Sequence, residues 1–371
     1  MIDLATSKLF SPWTDPATGV TVYLLTQKVA PVQEAFYFVN NSMTADGRYL
    51  WFYCAFPPSG SQSYGRTLGV VDFEQQSVHH FPETQFQSAS PLADEESGEV
   101  YWTTGPSIWK RPADPAAGVE CVNSLPQEIV KNRQIYRLAT HLTRSADGKE
   151  FFVDAAFGLQ WIFGSLPVDG GDFQLWHRFD RNHNHAQFSP TDPDLVLFAE
   201  ENHPDPITGL TFRIVDRMWL IRRGEAPRPV FDTPTRVTHE WWDVDGKHVW
   251  CVWGNEAWRT NIESREVEKV TWPAHCWHAH VSQDGNYMVC DSNERFYRGC
   301  PSSVYFLNRR TGKHVHILSN PEMKGIVGSQ YHIDPHPRFC ASDKLVVFTA
   351  AVRGEVDLAV AKVDDLIDRT T

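Results

Sequence analysis

The chain has 371 residues, of which 42% are hydrophobic, 13% aromatic and 22% charged, so it can bury a sizeable core and is not a disordered polymer. A net charge of −12 leaves no surplus of Lys and Arg for a broad nucleic-acid surface or an anionic membrane. No apolar run reaches the ~18 residues that a spanning helix requires.

Residues 1–30 show no basic stretch followed by an apolar segment and a small-residue cleavage site, which predicts a cytoplasmic protein. The seven cysteines are odd in number and form no C-x-x-C pair, so reduced, mostly buried thiols are expected. Fourteen tryptophans beside 22 phenylalanines suit the space between tilted sheets, and some of them can stack on sugar faces.

In chain order, a turn-then-strand phrase recurs seven times. The copies are TADGRYLWFYCAF from Thr44, ADEESGEVYWTTG from Ala93, SADGKEFFVDAAF from Ser145, SPTDPDLVLFAEE from Ser189, DVDGKHVWCVWG from Asp243, SQDGNYMVCDS from Ser282 and ASDKLVVFTAA from Ala341. Each opens with a tight acidic turn and runs into alternating aromatic and β-branched residues, the pattern of a hairpin's second strand. The mean period is about 50 residues, a length that suits propeller blades. One such unit per blade uses almost the whole chain and leaves no linker and no helix of consequence. The expectation is an all-β fold, a single seven-bladed β-propeller over residues 1–371 with mostly four-stranded blades. The segment Trp13 to Gln27 is expected to add outer strands to the C-terminal blade and close the ring.

Reading backward from each turn gives the innermost strand, which lines a propeller's axis. His141, His239 and His278 sit six positions before Asp147, Asp245 and Asp284, while His185 and His336 sit seven before Asp192 and Asp343. Any one of these could be an ordinary half-buried histidine. Five at nearly one repeat offset predict a ring of imidazoles at one mouth. In CWHAHVSQDG, His278 and His280 share a strand face; in GSQYHIDPHPRF, Gln330, His332, Asp334 and His336 can do so. Imidazoles with an amide or carboxylate oxygen suit Mn²⁺, Ni²⁺, Zn²⁺ or Fe²⁺ better than Ca²⁺.

No G-x-S-x-G elbow and no Walker A loop is present. Arg217 and Arg144 are the cations nearest the inner-strand stations, suited either to a carboxylate clamp or to a rim salt bridge. His239, in THEWWDVDG, has an intrinsic pKa suited to proton abstraction near neutrality. Its neighbour Glu240 is expected to face the other way, as packing or as an outer partner.

The order HAQFSPTDPDLVLFAEE, VDRMWLI, VTHEWWDVDG, CWHAHVSQDG and DPHPRF resembles the oligogalacturonate lyases, and DPATGVTVYLLT and ADGRYLWFY extend the likeness over nearly the whole chain. The resemblance implies a seven-bladed propeller that cleaves uronic-acid oligosaccharides by β-elimination around a Mn²⁺ ion. It implies His278, Gln330 and His336 as metal ligands, His239 as base and Arg217 as its companion. His185 falls among the substrate-facing residues, and His141, Arg144, Trp242 and His280 are candidates beside it. One departure stands out: the family pattern has two histidines one residue apart, whereas this chain reads Asp334-Pro335-His336-Pro337. Either His332 supplies the third imidazole or Asp334 replaces it.

The expected activity is therefore a metal-assisted lyase acting on acidic oligosaccharides, with a 4,5-unsaturated uronide as product. Two rivals remain at this stage: a non-catalytic TolB-like propeller that binds oligosaccharide or protein, and an epimerase or isomerase using the same proton abstraction.

Overall fold

The acidic phrases build the same turn in four of the seven repeats. Gly47, Gly148, Gly246 and Gly285 take positive φ and donate their N–H groups to the carbonyls of Thr44, Ser145, Asp243 and Ser282. A side chain is not tolerated at Gly246, where an added Cβ would lie 1.9 Å from Thr191 Oγ1.

The computed structural model describes residues 4–61, 63–205, 207–292, 303–319 and 333–371. Among these residues, seven antiparallel blade sheets follow one another around an axis, as the repeat predicts, and a two-stranded hairpin, His203–Pro204 with Thr211–Phe212, is inserted in the fourth. Five are four-stranded: the first blade over 32–87, the second over 92–124, the fourth over 183–229, the fifth over 238–271 and the sixth over 279–319. The third has three strands, Glu150–Phe157, Gln160–Pro167 and Gln174–Phe179. Its inner edge is reduced to bridges from Arg137 and Arg144.

The seventh blade holds Arg338–Cys340, Leu345–Ala350 and Asp357–Lys362, and the N-terminal strands Thr21–Leu25 and Phe10–Thr14 complete it. Tyr23 lies opposite Val360 and Leu24 opposite Ala359, so the ends of the chain close the ring as expected. An eight-residue helix, Val363–Thr370, follows the last strand and packs Val363 and Leu366 into the interface between this blade and the sixth. The repeat pattern does not signal this helix, because it lies beyond the last copy.

The core sits between blades rather than at a centre. One apolar cluster fills each blade-to-blade interface, from Trp51 and Trp102 between the first and second blades to Leu50, Phe52 and Val347 where the seventh meets the first. Trp51, Trp102 and Trp250 are fully buried, consistent with packing as the main role of the aromatics. Of the six cysteines in the described residues, all free, only Cys121 is exposed.

Two buried carboxylates lock neighbouring blades at the end of the axis opposite the acidic turns. Asp154 accepts N–H groups from Thr140 (2.6 Å) and, across the interface, Ala186 (3.2 Å), and it pairs with Arg137. Asp291 occupies the same station in the sixth blade, seven residues after its turn acid, and accepts from His278 N (2.7 Å) and His336 N (3.0 Å). Removing such a group leaves buried donors and a cation without their acceptor. Asp154→Ala is expected to lower unfolding free energy by about 3 kcal/mol, measured by urea denaturation.

Candidate functional site

Inner strands that run the same way place equal repeat offsets at equal depth, and the five predicted histidines converge on one mouth. Ring centroids are 4.3 Å apart for His239 and His278, 4.3 Å for His278 and His336, and 5.2 Å for His141 and His185. Between them stands Tyr37, from the first blade, 4.7 Å from His141, 4.8 Å from His336 and 5.5 Å from His278. A cavity of about 620 Å³ opens here, lined among others by Tyr37, His141, His185, Arg217, His239 and His336.

His185, His239 and His336 reach the mouth by leaving regular strand geometry. Their φ values are 54°, 51° and 47°, in the left-handed region that costs a non-glycine residue about 1–2 kcal/mol. For His185 and His239 the cause is a break in strand register, between Asn184 and Gln187 and between Thr238 and Trp241. His336 is held between Pro335 and Pro337.

Ligating atoms of His278, Asp334 and His336 all lie within 4.8 Å of one another, and all three residues are buried. The Nδ1 of His278 is 3.0 Å from Asp291 Oδ2. A carboxylate there accepts the Nδ1 proton and turns Nε2 into the ligating atom, the outer partner that metal-bound imidazoles use. Two imidazoles and a carboxylate oxygen make a donor set suited to one divalent transition ion. Gln330 and His332, the remaining ligand candidates, lie outside the described residues.

A second cluster stands beside it. Arg217 Nε donates to Glu240 Oε2 (3.0 Å), another guanidinium nitrogen donates to Glu201, and His185 Nδ1 lies 3.1 Å from both Glu240 Oε1 and the Arg217 guanidinium. Burial alone would raise the Glu240 pKa, but the charge of Arg217 and the contact with His185 outweigh it and bring the pKa down to about 2. Burial opposes the charge on Arg217 as well; Glu240 and Glu201 overcome this and raise its pKa. Burial, then the Glu240 charge, pushes the Tyr37 phenol well above the usual tyrosine range. The imidazole of His141 is driven well below its ordinary value by burial and by His185.

Other predicted residues lie elsewhere. Arg144 pairs with Asp94 (2.6 Å) over the rings of Tyr101 and Phe151, a contact between blades that lies outside this cavity. His280 and Trp242 line a separate cavity at the turn end of the axis. His280 does share the axial face with His278, but two residues along a strand span about 6.6 Å, which carries it toward the other mouth. Glu240, expected to point away from the site, lies at the register break and serves as the outer partner of Arg217. Tyr37, Glu201 and Asp291 were not anticipated. Asp291 shares with Asp154 an offset of seven residues from its turn acid, so the repeat carried a signal for it.

These features define a class: a seven-bladed β-propeller with a histidine-lined axial mouth that can hold a cation. No family model matches the chain. Over 212 residues it is 26% identical to an oligogalacturonate lyase of Dickeya dadantii (strain 3937), and over 203 residues 27% identical to an oligogalacturonide lyase of Pectobacterium atrosepticum. Each match covers 49% of this chain and 50% of the relative. The chain thus spans about half the length of the curated relatives it matches. Its fold matches a solved oligogalacturonate lyase in complex with manganese (TM-score 0.76, 20% identity, 95% of this chain and 96% of that one). A second such lyase, from Vibrio parahaemolyticus, matches with TM-score 0.74 at 18% identity over the same shares. The chain is thus similar to oligogalacturonate lyases in sequence over about half its length and shares their seven-bladed fold over nearly all of it.

Glu240 yields a pH signature. Its folded pKa lies below its ordinary 4.5, so its contribution to stability is present above pH 4.5 and lost as pH falls toward about 2. Urea denaturation in steps across that window should show wild-type stability declining more steeply than that of Glu240→Gln.

Proposed function

We propose that this protein is a metal-assisted lyase that cleaves uronic-acid oligosaccharides of the oligogalacturonate type by β-elimination, leaving a 4,5-unsaturated uronide. The observation that carries this reading is the convergence of the His278, Asp334 and His336 donors with His239 and Arg217 at one mouth. The curated relatives support it as to substrate class.

The C5 hydrogen of a uronate is only weakly acidic, so its carboxylate must be neutralised before the proton can leave. His278, Asp334 and His336 would hold a divalent metal, Mn²⁺ in the first instance, with Asp334 standing where the family pattern has a histidine. Such an ion supplies electrophilic pull on the uronate carboxylate. Arg217 adds a guanidinium fixed by Glu240. Its other partner, Glu201, is the more exposed of the two, and a substrate carboxylate can take its place.

His239 lines the cavity and takes the C5 proton. Departure of the O4 glycosidic oxygen then needs a proton, and Tyr37, kept neutral by its surroundings, is positioned to give one. His185 and His141 line the substrate's side of the cavity. A rigid mouth with its charges already oriented lowers the barrier because little reorganises during reaction.

The test follows the ultraviolet absorbance of the unsaturated uronide with a panel of uronic-acid oligosaccharides, with and without added Mn²⁺. A metal-dependent rise is expected, with His239→Ala lowering kcat at least a hundredfold and Tyr37→Phe lowering it on glycosidic substrates. A flat wild-type trace across the panel, with no metal found by elemental analysis, would overturn the proposal in favour of a binding propeller. Independently of turnover, His278→Ala and His336→Ala should each abolish the rise in melting temperature on Mn²⁺ addition.

A further inference from the structure

The opposite end of the axial channel carries a second cavity, of about 280 Å³, that the lyase reading leaves unused. Its walls include Trp241, Trp242, Asn41 and Gln283, and from the inner strands of the sixth and seventh blades, His280 and Arg338. Arg338 is unusual among the arginines on the axis. Arg66, Arg137 and Arg217 each have a carboxylate within ion-pairing distance: Glu34 at 3.3 Å, Asp154 at 3.4 Å and Glu240 at 3.0 Å. Arg338 has none within 4 Å among the described residues. Its NH1 nitrogen donates to Phe38 O (2.8 Å) and to His280 Nε2 (3.0 Å).

That second hydrogen bond sets the state of the histidine. A guanidinium only donates, so His280 Nε2 must accept, which leaves the ring neutral with its proton on Nδ1. Two buried donors result, His280 Nδ1–H and Arg338 Nε–H, and neither meets an acceptor among the described residues. Buried donors and an uncompensated guanidinium are costly unless an anion answers them. Asp343 and Glu95 also line the cavity without reaching Arg338. Their charge disfavours a multiply charged ligand, while the planar fork of an arginine matches a carboxylate.

We propose that the turn-end mouth is a second ligand site, in which Arg338 and His280 bind the carboxylate of a small monoanionic molecule against the indole walls of Trp241 and Trp242. The site is separate from the histidine-lined mouth and does not depend on the lyase assignment.

The test titrates metal-stripped full-length protein with benzoate, acetate and inorganic phosphate and follows tryptophan fluorescence. Saturable quenching by a carboxylate is expected in wild type, with at least tenfold weaker affinity in Arg338→Gln and unchanged affinity in Arg217→Gln. Arg338→Lys, which keeps the charge and loses the fork, should weaken binding to an intermediate degree and serves if Arg338→Gln does not fold. Affinity unaltered by either Arg338 variant, affinity lost in Arg217→Gln, binding of phosphate alone, or no binding by wild type would each overturn the proposal.

Discussion

Seven inner blade edges running in the same direction along one axis are the constraint from which the site follows. Any residue type repeated at one offset from the acidic turn arrives at one depth, whatever its distance along the chain. Residues 141 to 336 supply five imidazoles to one mouth in this way, although no two neighbours in the series are closer than 39 positions in sequence. The inter-blade carboxylates enforce the same geometry from behind. Asp291 holds the backbone N–H groups of both His278 and His336, so the alignment of the sixth and seventh blades and the separation of two candidate ligands are set by one side chain.

Much of this was legible in the sequence because it repeats. The turns, the seven units, the closing role of the N-terminal strands and the histidine station all recur or follow from recurrence. What does not repeat was hidden. Tyr37 enters from a stretch after the first inner strand, nine residues before Asp46 rather than at the histidine station. The inward role of Glu240 depends on a register break that alternation cannot foresee, since a strict period of two sends it away from His239. Depth along the axis was hidden too. His280 and Trp242 face inward as their spacing suggests, yet at a level that belongs to the other mouth. Asp154 and Asp291 show the opposite case, a signal present at a fixed offset and passed over because buried acids in a strand read as irregularities.

Charge arrangement separates the two halves of the histidine-lined mouth. On the side of the sixth and seventh blades, two imidazoles and one carboxylate favour a cation. On the side of the fourth and fifth, Arg217 is flanked by Glu240 and Glu201, so its orientation is fixed while its net field is modest. Attraction of the proposed acidic ligand would therefore not rest on a broad positive surface, in keeping with an overall charge of −12. It rests on a few groups whose partners can be exchanged locally.

Closure by the chain's two ends carries a consequence for biosynthesis. The strands Thr21–Leu25 and Phe10–Thr14 precede all the other blade strands but find their partner, Asp357–Lys362, only after the other six blades have been made. Pairing across so long a separation is slow, because much chain entropy is lost before the contact forms. Asp334 and His336 belong to that last blade, whereas His278 belongs to the one before it. A cation bridging the three would join the final blade to its neighbour and add its binding energy to the closed ring.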